Sequence, residues 1–573
     1  MRDVRFHSEG VSLDLDISSQ RTLIPIYDFH EKTSPCRVGC PAGHNIAWAL
    51  NQVRNGDFSA ALELFREESP FPSITGRVCY HPCEPVCNRG AHDEPLAINM
   101  LERAMADHGK AALPEPLARH PEQIAVIGSG PAGLTAAYHL RWLGYRVTVY
   151  EKQQEAGGVL RYGIPDYRLP KTIVRREVAH LARMGIAFRT GVAVGSDLPF
   201  EELLDDHDAL FLGIGLSAGR KLPLEGIDAL SSMAGLDFLW RAKEGLITEL
   251  RGRVLVIGGG DVAIDVARSA RRLGAASVAL YCLEDRQHMP AHPEEVHEAG
   301  QEKVAITPGW APVALASRPD GVVVEMRGVD RLESGRPVFN EARTEVACDH
   351  ILYAIGQQAE AAFLPADWLT DGRLRVNAVG QTAHPKVFAG GDIAGSYNVV
   401  QAIGAAKLAV LGIDCALRGR DWRAWLPRIK LGNGQAISLR AYRQLIVGQQ
   451  APQARSVVPY EAINADYFPR RERLARPHLA VAEPRSFAEV NTEVPKDIAI
   501  REASRCFHCG ECTVCGNCFI YCPDSAVVQR QDGFFAINEL QCKGCGQCVQ
   551  ECPRDAMSMV LDLKPESQAA AVA

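Results

Sequence analysis

Two cysteine runs near the C-terminus constrain the fold more than any other feature. Cys512-x-x-Cys515-x-x-Cys518-x-x-x-Cys522-Pro is followed by Cys542-x-x-Cys545-x-x-Cys548-x-x-x-Cys552-Pro. In this spacing three thiolates of one run and the fourth of the other hold one [4Fe–4S] cluster, so the runs fold as a pair around two clusters. Of the other ten cysteines, seven also lie in tight motifs: Cys36, Cys40, Cys79, Cys83, Cys87, Cys506 and Cys509. A chain that commits so many thiols to iron reads as an electron-transfer protein.

At 573 residues there is room for three or four domains. The 47% hydrophobic and 23% charged content is that of ordinary globular protein. A net charge of −7 over this length argues against bulk nucleic-acid binding. Residues 1–15 carry charges and no apolar core, so no secretory signal is expected. No run of eighteen apolar residues occurs, so no membrane span is expected. Without an export signal, the cysteines read as metal ligands kept reduced in the cytoplasm.

Residues 1–115 read as a helical N-terminal domain, with helical periodicity at 46–50 and 60–65. A Pro-containing link over 113–121 leads into alternating strands, Gly-rich turns and helices up to about 415, which is α/β logic. One nucleotide domain is expected over 120–250 and 350–415, with a second inserted over 251–349. Residues 416–500, rich in Arg and Pro, read as an extended connector with short helices. The cluster module takes 501–573, and its Ala-rich end reads as a disordered tail.

The run Ile124-Ala-Val-Ile-Gly128-Ser129-Gly130-Pro131-Ala132-Gly133 reads as strand, tight turn and helix start. Gly128 permits the turn, Gly130 lets backbone approach a pyrophosphate, and Gly133 lets helix and strand pack closely. Unpaired amides at the helix N-terminus then face the phosphates. The next strand, 146–150, ends at Glu151-Lys152, where a carboxylate can accept from ribose hydroxyls.

Downstream lie Gly157-Gly158-Val-Leu-Arg161-Tyr-Gly-Ile-Pro165-Asp-Tyr-Arg-Leu-Pro-Lys171 and Val387-Phe-Ala-Gly-Gly391-Asp392-Ile, followed by Asn398. Over roughly 36–415 these runs resemble the small (beta) subunit of glutamate synthase and its relatives, including the N-terminal half of dihydropyrimidine dehydrogenase. The resemblance implies FAD held by the Gly128–Gly133 turn, Glu151, Lys152, Gly158, Arg161, Gly391, Asp392 and Asn398, with Asp392 on the ribityl chain. It implies a multidomain α/β fold: a helical Fe–S domain and two Rossmann-like domains of the glutathione-reductase type. The C-terminal module is expected to be an α+β bacterial ferredoxin-like domain.

Val254-Leu-Val-Ile-Gly258-Gly259-Gly260-Asp261-Val262-Ala263 repeats the strand–turn–helix pattern, with Ala in the third small position. Its place between the flavin halves resembles the inserted nicotinamide domain of that family. After the strand at 277–281, NADPH-using relatives carry an Arg pair followed later by Met-Pro. Here Met289-Pro290 is present, but Leu283-Glu284 stand where the pair would be. Two guanidiniums hold a 2′-phosphate, whereas a carboxylate repels it and accepts from free ribose hydroxyls, so NADH is favoured. The opposing reading makes Glu284 a solvated turn residue and gives a phosphate to Arg286.

Cys36-Arg-Val-Gly-Cys40-Pro and Cys79-Tyr-His-Pro-Cys83-Glu-Pro-Val-Cys87 resemble the family's two-cluster N-terminal domain. Relatives carry a further Glu-Ala-x-Arg-Cys-x-x-Cys segment before the first motif, and it is missing from that place here. Five cysteines cannot saturate two cubanes, which need eight ligands. The missing segment stands at Glu502-Ala-Ser-Arg505-Cys506-Phe-His-Cys509, preceded by Phe487-Ala-Glu-Val490. Cys506 and Cys509 are therefore expected to join Cys36 and Cys87 on one cluster. Cys40, Cys79 and Cys83 would hold another, with the oxygen ligand that relatives use supplied by Glu102. Fifteen thiolates and Glu102 make sixteen ligands, hence four clusters. In the alternative, Cys506-x-x-Cys509 is a dithiol or a ferredoxin extension and three clusters remain; the separate alternative for Glu102 is an ordinary exposed helix residue.

Cys282, Cys348 and Cys415 lie in apolar stretches and read as core. His288, His292 and His297, near Glu294, Glu295 and Glu298, fit no zinc motif and read as a solvated helical face. Arg470-Arg471-Glu472-Arg473 reads as a solvated basic run. The expected function is a cytoplasmic FAD- and [4Fe–4S]-dependent NAD(P)H:acceptor oxidoreductase, with NADH favoured. The family implies an electron-transfer subunit working to or from a partner enzyme or ferredoxin, such as a 2-oxoacid:acceptor oxidoreductase or sulfite reductase. A glutamate synthase small subunit using NADPH is the alternative, made less apt by the extra C-terminal module. A flavin disulfide reductase needs Cys-x4-Cys beside the flavin, and 157–171 contains no cysteine. An Fe–S sensor or scaffold would not need two intact nucleotide sites. No acid, base or nucleophile is assigned, because the chemistry belongs to the cofactors.

Overall fold

Short amphipathic helices build the N-terminal domain of this computed structural model, which describes residues 4–8, 11–15, 22–27, 31–318, 321–451, 455–479 and 486–561. The Ala-rich tail lies outside the described residues. Ile46–Arg54 and Phe58–Arg66 begin at Asn45 and Asp57, whose side chains accept from Trp48 N and Ala60 N. Their apolar stripes, including Leu50, Val53, Ala61 and Phe65, face Pro72–Val78 and Ile98–His108.

The first α/β domain is a parallel sheet in the order Val387–Ala389, Ala209–Leu212, Gln123–Ile127, Arg146–Glu151, Ala187–Thr190. Helix Pro131–Leu143 covers one face, and Val399–Leu417 packs on that helix. By length and composition Val399–Leu417 is long and apolar enough to cross a membrane, yet 67% of its apolar window is buried inside the protein. There Lys407 pairs with Glu68 of the N-terminal domain (2.6 Å) and donates to Ala42 O and Ile437 O. One continuous core runs from the N-terminal helices through this sheet.

The second α/β domain has the order Ser232–Ala234, His350–Tyr353, Arg253–Ile257, Ser277–Cys282, Ala305–Pro308, all parallel. An antiparallel sheet of Trp310–Arg318, Gly321–Glu333 and Arg336–Cys348 makes its last crossover. This corrects the expected boundaries of 251 and 349: strands 232–234 and 350–353 bond into this sheet and not the first. Periodicity identifies a short apolar strand but not the sheet it joins. An ionic seam docks this domain. Arg168 meets Asp265 (2.7 Å) and Glu295 (2.9 Å) and Tyr80 stacks on His292, while inside the domain Arg268 holds Glu295, Glu298 and Glu302 in place.

The described residues of 416–500 carry the expected short helices, but these are packed against the protein and do not form a loose connector. Helices Trp422–Ile429 and Leu439–Ile446 join the continuous core, and Lys496–Ala503 packs on Ile46–Arg54 and Ile98–His108. The basic run is likewise engaged: Arg473 pairs with Glu84 (2.6 Å) and Arg471 N donates to Asp93. In the C-terminal module, Val527–Gln529 pairs with Phe535–Ile537, and helices Asn517–Ile520 and Gln547–Gln550 lie within the cysteine runs, carrying Cys518 and Cys548. Its last strand, Met557–Leu561, pairs antiparallel with Leu23–Tyr27. The N-terminal strand thus belongs to the C-terminal module and not to the expected 1–115 domain.

Lys407 and Glu68 are 0% and 2% exposed, so removing one leaves the other buried and uncompensated. Lys407→Met is expected to cost about 3–5 kcal/mol, read as a lower denaturation midpoint. Lys407→Met combined with Glu68→Gln is expected to recover part of that loss; full additivity would contradict the pairing.

Candidate functional site

The first glycine turn is tied down from beneath. Glu151, at the end of its strand, accepts from Ser129 N (3.0 Å) and Ser129 Oγ (2.5 Å) on one oxygen and from Gln153 N (2.9 Å) on the other. Ser129 Oγ in turn accepts from Gly157 N (2.9 Å), bringing the Gly157-Gly158 turn over the loop. Gly133 is obligatory, since a Cβ there would stand 1.9 Å from Gly128 O. Above Gly130, by contrast, a Cβ would meet nothing nearer than Gly213 O at 3.9 Å, leaving room for a ligand. Arg161 is buried and gives Nη2 to Glu155 (2.5 Å), while Nε and Nη1 have no partner among the described residues. Burial raises Asp392 to about 6, against the pull of Arg373. An open backbone cradle, helix N-terminal amides and unpartnered guanidinium donors fit FAD.

Two predicted flavin residues are engaged elsewhere. Lys152 pairs with Glu360 on the surface, and Asn398 caps Val399–Leu417 by accepting from Gln401 N (3.0 Å). Lys171 closes the 157–171 segment by donating to the carbonyls of Leu160, Ile164 and Leu169; burial lowers it to about 7.

At the second turn, Ala291 N donates to Gly259 O (3.0 Å), folding the Met289-Pro290 loop back onto Gly258–Gly260. Burial works to raise Asp261, but hydrogen bonds from His292 hold it below the usual carboxylate range. Val262 and Ala263 continue the helix Asp261–Arg272. Glu284 Oε2 lies 2.7 Å from where a Gly259 Cβ would project, so the carboxylate sits against the glycine turn. Arg286 is exposed. His288, His292 and His297 point to separate partners: Asp285, Asp261 and Gln301.

The cysteines gather in four sets. Burial, and next the Cys87 thiol, push Cys36 well above its usual range, with Cys506 and Cys509 adding to it. Cys509 is pushed up by burial, then by Cys506 and Cys87, and Asn88 donates to its sulfur (3.4 Å). Cys79 is raised by burial, Glu102 and Cys40, and Cys83 by burial, Cys40 and Cys79. Glu102 is 6% exposed, which removes the exposed-helix reading. Burial raises it to about 8 despite a hydrogen bond from Thr75 Oγ1 (2.5 Å).

In the C-terminal module, Cys512, Cys515, Cys518 and Cys552 line one cavity of about 340 Å³. Cys522, Cys542, Cys545 and Cys548 line another of about 300 Å³. In each cavity the fourth cysteine comes from the other run, as the spacing requires. Among the described residues no three His, Cys, Asp or Glu groups converge on a single-ion site. A cubane instead puts each thiolate on a different iron, so four donors around a cavity are what it needs.

One local device recurs at these loops and is invisible in sequence. His81, His508, Val514 and Gly544 each stand two residues after a cysteine with positive φ (40°, 54°, 55° and 74°). That turn aims their N–H groups at the sulfurs of Cys79, Cys506, Cys512 and Cys542. For residues other than glycine it costs about 1–2 kcal/mol. Cys506-Phe-His508 shares this strained turn with the ferredoxin runs. Its segment is clamped on the N-terminal domain: Arg505 meets Glu502 (2.7 Å) and Asp93 (3.0 Å), and His508 Nδ1 meets Ala47 O.

Residues 122–409 match the pyridine nucleotide-disulphide oxidoreductase family. Residues 30–113 match domain II of dihydropyrimidine dehydrogenase, a 4Fe-4S cluster domain, and 511–557 match a 4Fe-4S dicluster domain. The NADP(+)-dependent formate dehydrogenase subunit beta of Moorella thermoacetica is 36% identical, over 67% of this chain and 60% of its own length. The NADPH-Fe(3+) oxidoreductase subunit beta of Geobacter sulfurreducens is 33% identical, over 59% and 53%. The chain therefore spans between half and three fifths of those two relatives. The NAD-dependent dihydropyrimidine dehydrogenase subunit PreT of Escherichia coli is 33% identical, over 67% of this chain and 92% of that one. Among solved structures, Mycobacterium tuberculosis FprA in complex with NADPH aligns at 18% identity over 52% of this chain and 85% of that chain, with a TM-score of 0.45. With its two glycine cradles inside a match that spans half its length, the chain belongs to the pyridine nucleotide-disulphide oxidoreductase family and carries 4Fe-4S cluster domains at both ends.

Proposed function

We propose that this chain is an FAD- and [4Fe–4S]-dependent NAD(P)H:acceptor oxidoreductase that favours NADH and serves as the electron-transfer subunit of a larger enzyme. The observation that carries this is the gathering of Cys36 and Cys87 with Cys506 and Cys509. It joins the C-terminal cavities to the domain that shares its core with the first nucleotide cradle. It supports sixteen ligands in four sets and disfavours a free Cys506-x-x-Cys509 dithiol.

When bound, FAD exchanges electrons in pairs with a nicotinamide and singly with iron–sulfur clusters. The protein's part is to hold, orient and shield. The turn at Gly128–Gly133 and the amides of Pro131–Leu143 hold a pyrophosphate, and the unpartnered Arg161 N–H groups are free to donate to the flavin. Asp392, half way to its neutral form near pH 6, is suited to hydrogen-bond a hydroxyl chain. N–H groups after Cys79, Cys506, Cys512 and Cys542 hold the charge on those sulfurs. Cys515 and Cys545 are exposed, which brings the last two cavities to the surface where a partner protein docks.

Glu284 against Gly259 supports NADH, because a 2′-phosphate there meets a negative charge. The relatives divide on this point, two named for NADP(+) or NADPH and one for NAD. Their names as subunits of formate dehydrogenase, an Fe(3+) oxidoreductase and dihydropyrimidine dehydrogenase support a subunit role. A 2-oxoacid:acceptor oxidoreductase or sulfite reductase is a partner of the same kind, and the thiol-rich chemistry suits the cytoplasm.

Anaerobically prepared protein is expected to hold about sixteen iron atoms per FAD, and Cys506→Ala with Cys509→Ala about twelve. Twelve in the unaltered protein would sink the shared cluster. Steady-state dye reduction is expected to give a higher kcat/KM for NADH, with Glu284→Arg moving the ratio toward NADPH by about tenfold or more. A clear NADPH preference before substitution contradicts the role given to Glu284. No NAD(P)H-driven reduction at all would return the chain to the sensor or scaffold class.

A further inference from the structure

A buried cation with no carboxylate partner among the described residues lies between two of the cysteine sets. Arg554, in Cys552-Pro-Arg554-Asp555, is 8% exposed and lines the cavity of Cys512, Cys515, Cys518 and Cys552. Its carbonyl accepts from Gly510 N (2.7 Å), which holds it against the Cys509-Gly510 step of the set shared with the N-terminal domain. Its guanidinium lies 5.3 Å from the centre of the Phe468 ring, and its Nε has no hydrogen-bond partner. The adjacent Asp555 meets Lys32 instead (2.6 Å). Glu511, on the same cavity wall, accepts from Asn45 Nδ2 (3.3 Å).

A guanidinium does not shed its proton in a protein, and burying one without a counter-charge is strongly unfavourable. Something negative must therefore face it. The charge of Arg554 acts on Cys515, Cys552 and Cys506, thiols of two different sets. Four thiolates around a four-iron cluster make an anion, and each of these sets supplies that anion when loaded. The outer cavity differs: its wall carries Asp524 and neither Arg nor Lys, and Lys543 beside it is paired with Asp524 (2.8 Å).

We propose that Arg554 is the shared counter-cation of two clusters, the one held by Cys36, Cys87, Cys506 and Cys509 and the one held by Cys512, Cys515, Cys518 and Cys552. It raises the reduction potential of both, because each gains one negative charge on accepting one electron, with no proton moved, and a fixed positive charge favours that state. This rests on the four-cluster reading above. Tyr27, whose hydroxyl lies 3.3 Å from Cys518 Sγ, touches the second of these sets and not the first, and offers a control.

The test is a redox titration of the loaded protein followed by electron paramagnetic resonance, with iron content measured on each sample. Arg554→Met and Arg554→Gln are both expected to move two of four clusters to lower potential and leave the other two in place. Arg554→Lys is expected to restore most of the shift, and Tyr27→Phe to leave the cluster of Cys36, Cys87, Cys506 and Cys509 in place. Unmoved potentials, a shift of one cluster, or an equal shift of all four in both neutral variants overturns the proposal. Sixteen irons with unmoved potentials overturns it alone. Twelve irons in the unaltered protein overturns the four-cluster reading and the shared role together.

Discussion

Everything at the C-terminal end depends on one clamp, the ionic contact of Arg505 with Asp93 and Glu502. Arg505 and Glu502 are almost wholly buried, and Asp93 nearly so. Arg89 completes the clamp by pairing with Asp93 and donating to Arg505 O, and it also lies over the Phe507 ring. Each charge is compensated, and each remaining lone pair finds a backbone donor: Glu502 also accepts from Ala97 N and Leu474 N. Such a network is rigid when complete and unfavourable when any member is missing. It sets Cys506 and Cys509 at the N-terminal domain before any cluster is considered.

Two kinds of junction follow from that geometry. The N-terminal helices and the first α/β sheet share a continuous apolar core, so they move as one body. The second α/β domain has cores of its own and docks through charges, chiefly Arg168 against Asp265 and Glu295. An apolar junction suits cofactors that must keep a fixed separation. A polar junction suits the domain that must admit and release a soluble nucleotide.

What was legible in the sequence was whatever is encoded locally or by counting. The first glycine turn is local, since Gly133 is dictated by the approach of Gly128 O five residues away; Gly258 answers instead to the distant carbonyl of Ala354. The transfer of Cys506 and Cys509 to the N-terminal set followed from ligand arithmetic. Pairings between distant segments were not legible. Strand 23–27 carries no mark that names Met557–Leu561 as its partner, and strands 232–234 and 350–353 carry none that names their sheet. Lys152 was assigned to the flavin by its place after Glu151, but Glu360, far along the chain, is its partner. The left-handed turns at His81, His508 and Val514 carry no glycine to mark them, and at β-branched Val514 the conformation runs against residue preference.

The pairing of Leu23–Tyr27 with Met557–Leu561 also has a temporal side. A ribosome extends a chain at roughly 5–20 residues per second, so Leu23–Tyr27 waits about half a minute to two minutes for its partner to emerge. Throughout that interval Cys36 and Cys87 lack the two thiols that stand beside them in the finished molecule. Assembly therefore closes like a ring, its earliest and latest segments meeting last, and a nascent chain is exposed to oxygen with its N-terminal thiols still waiting.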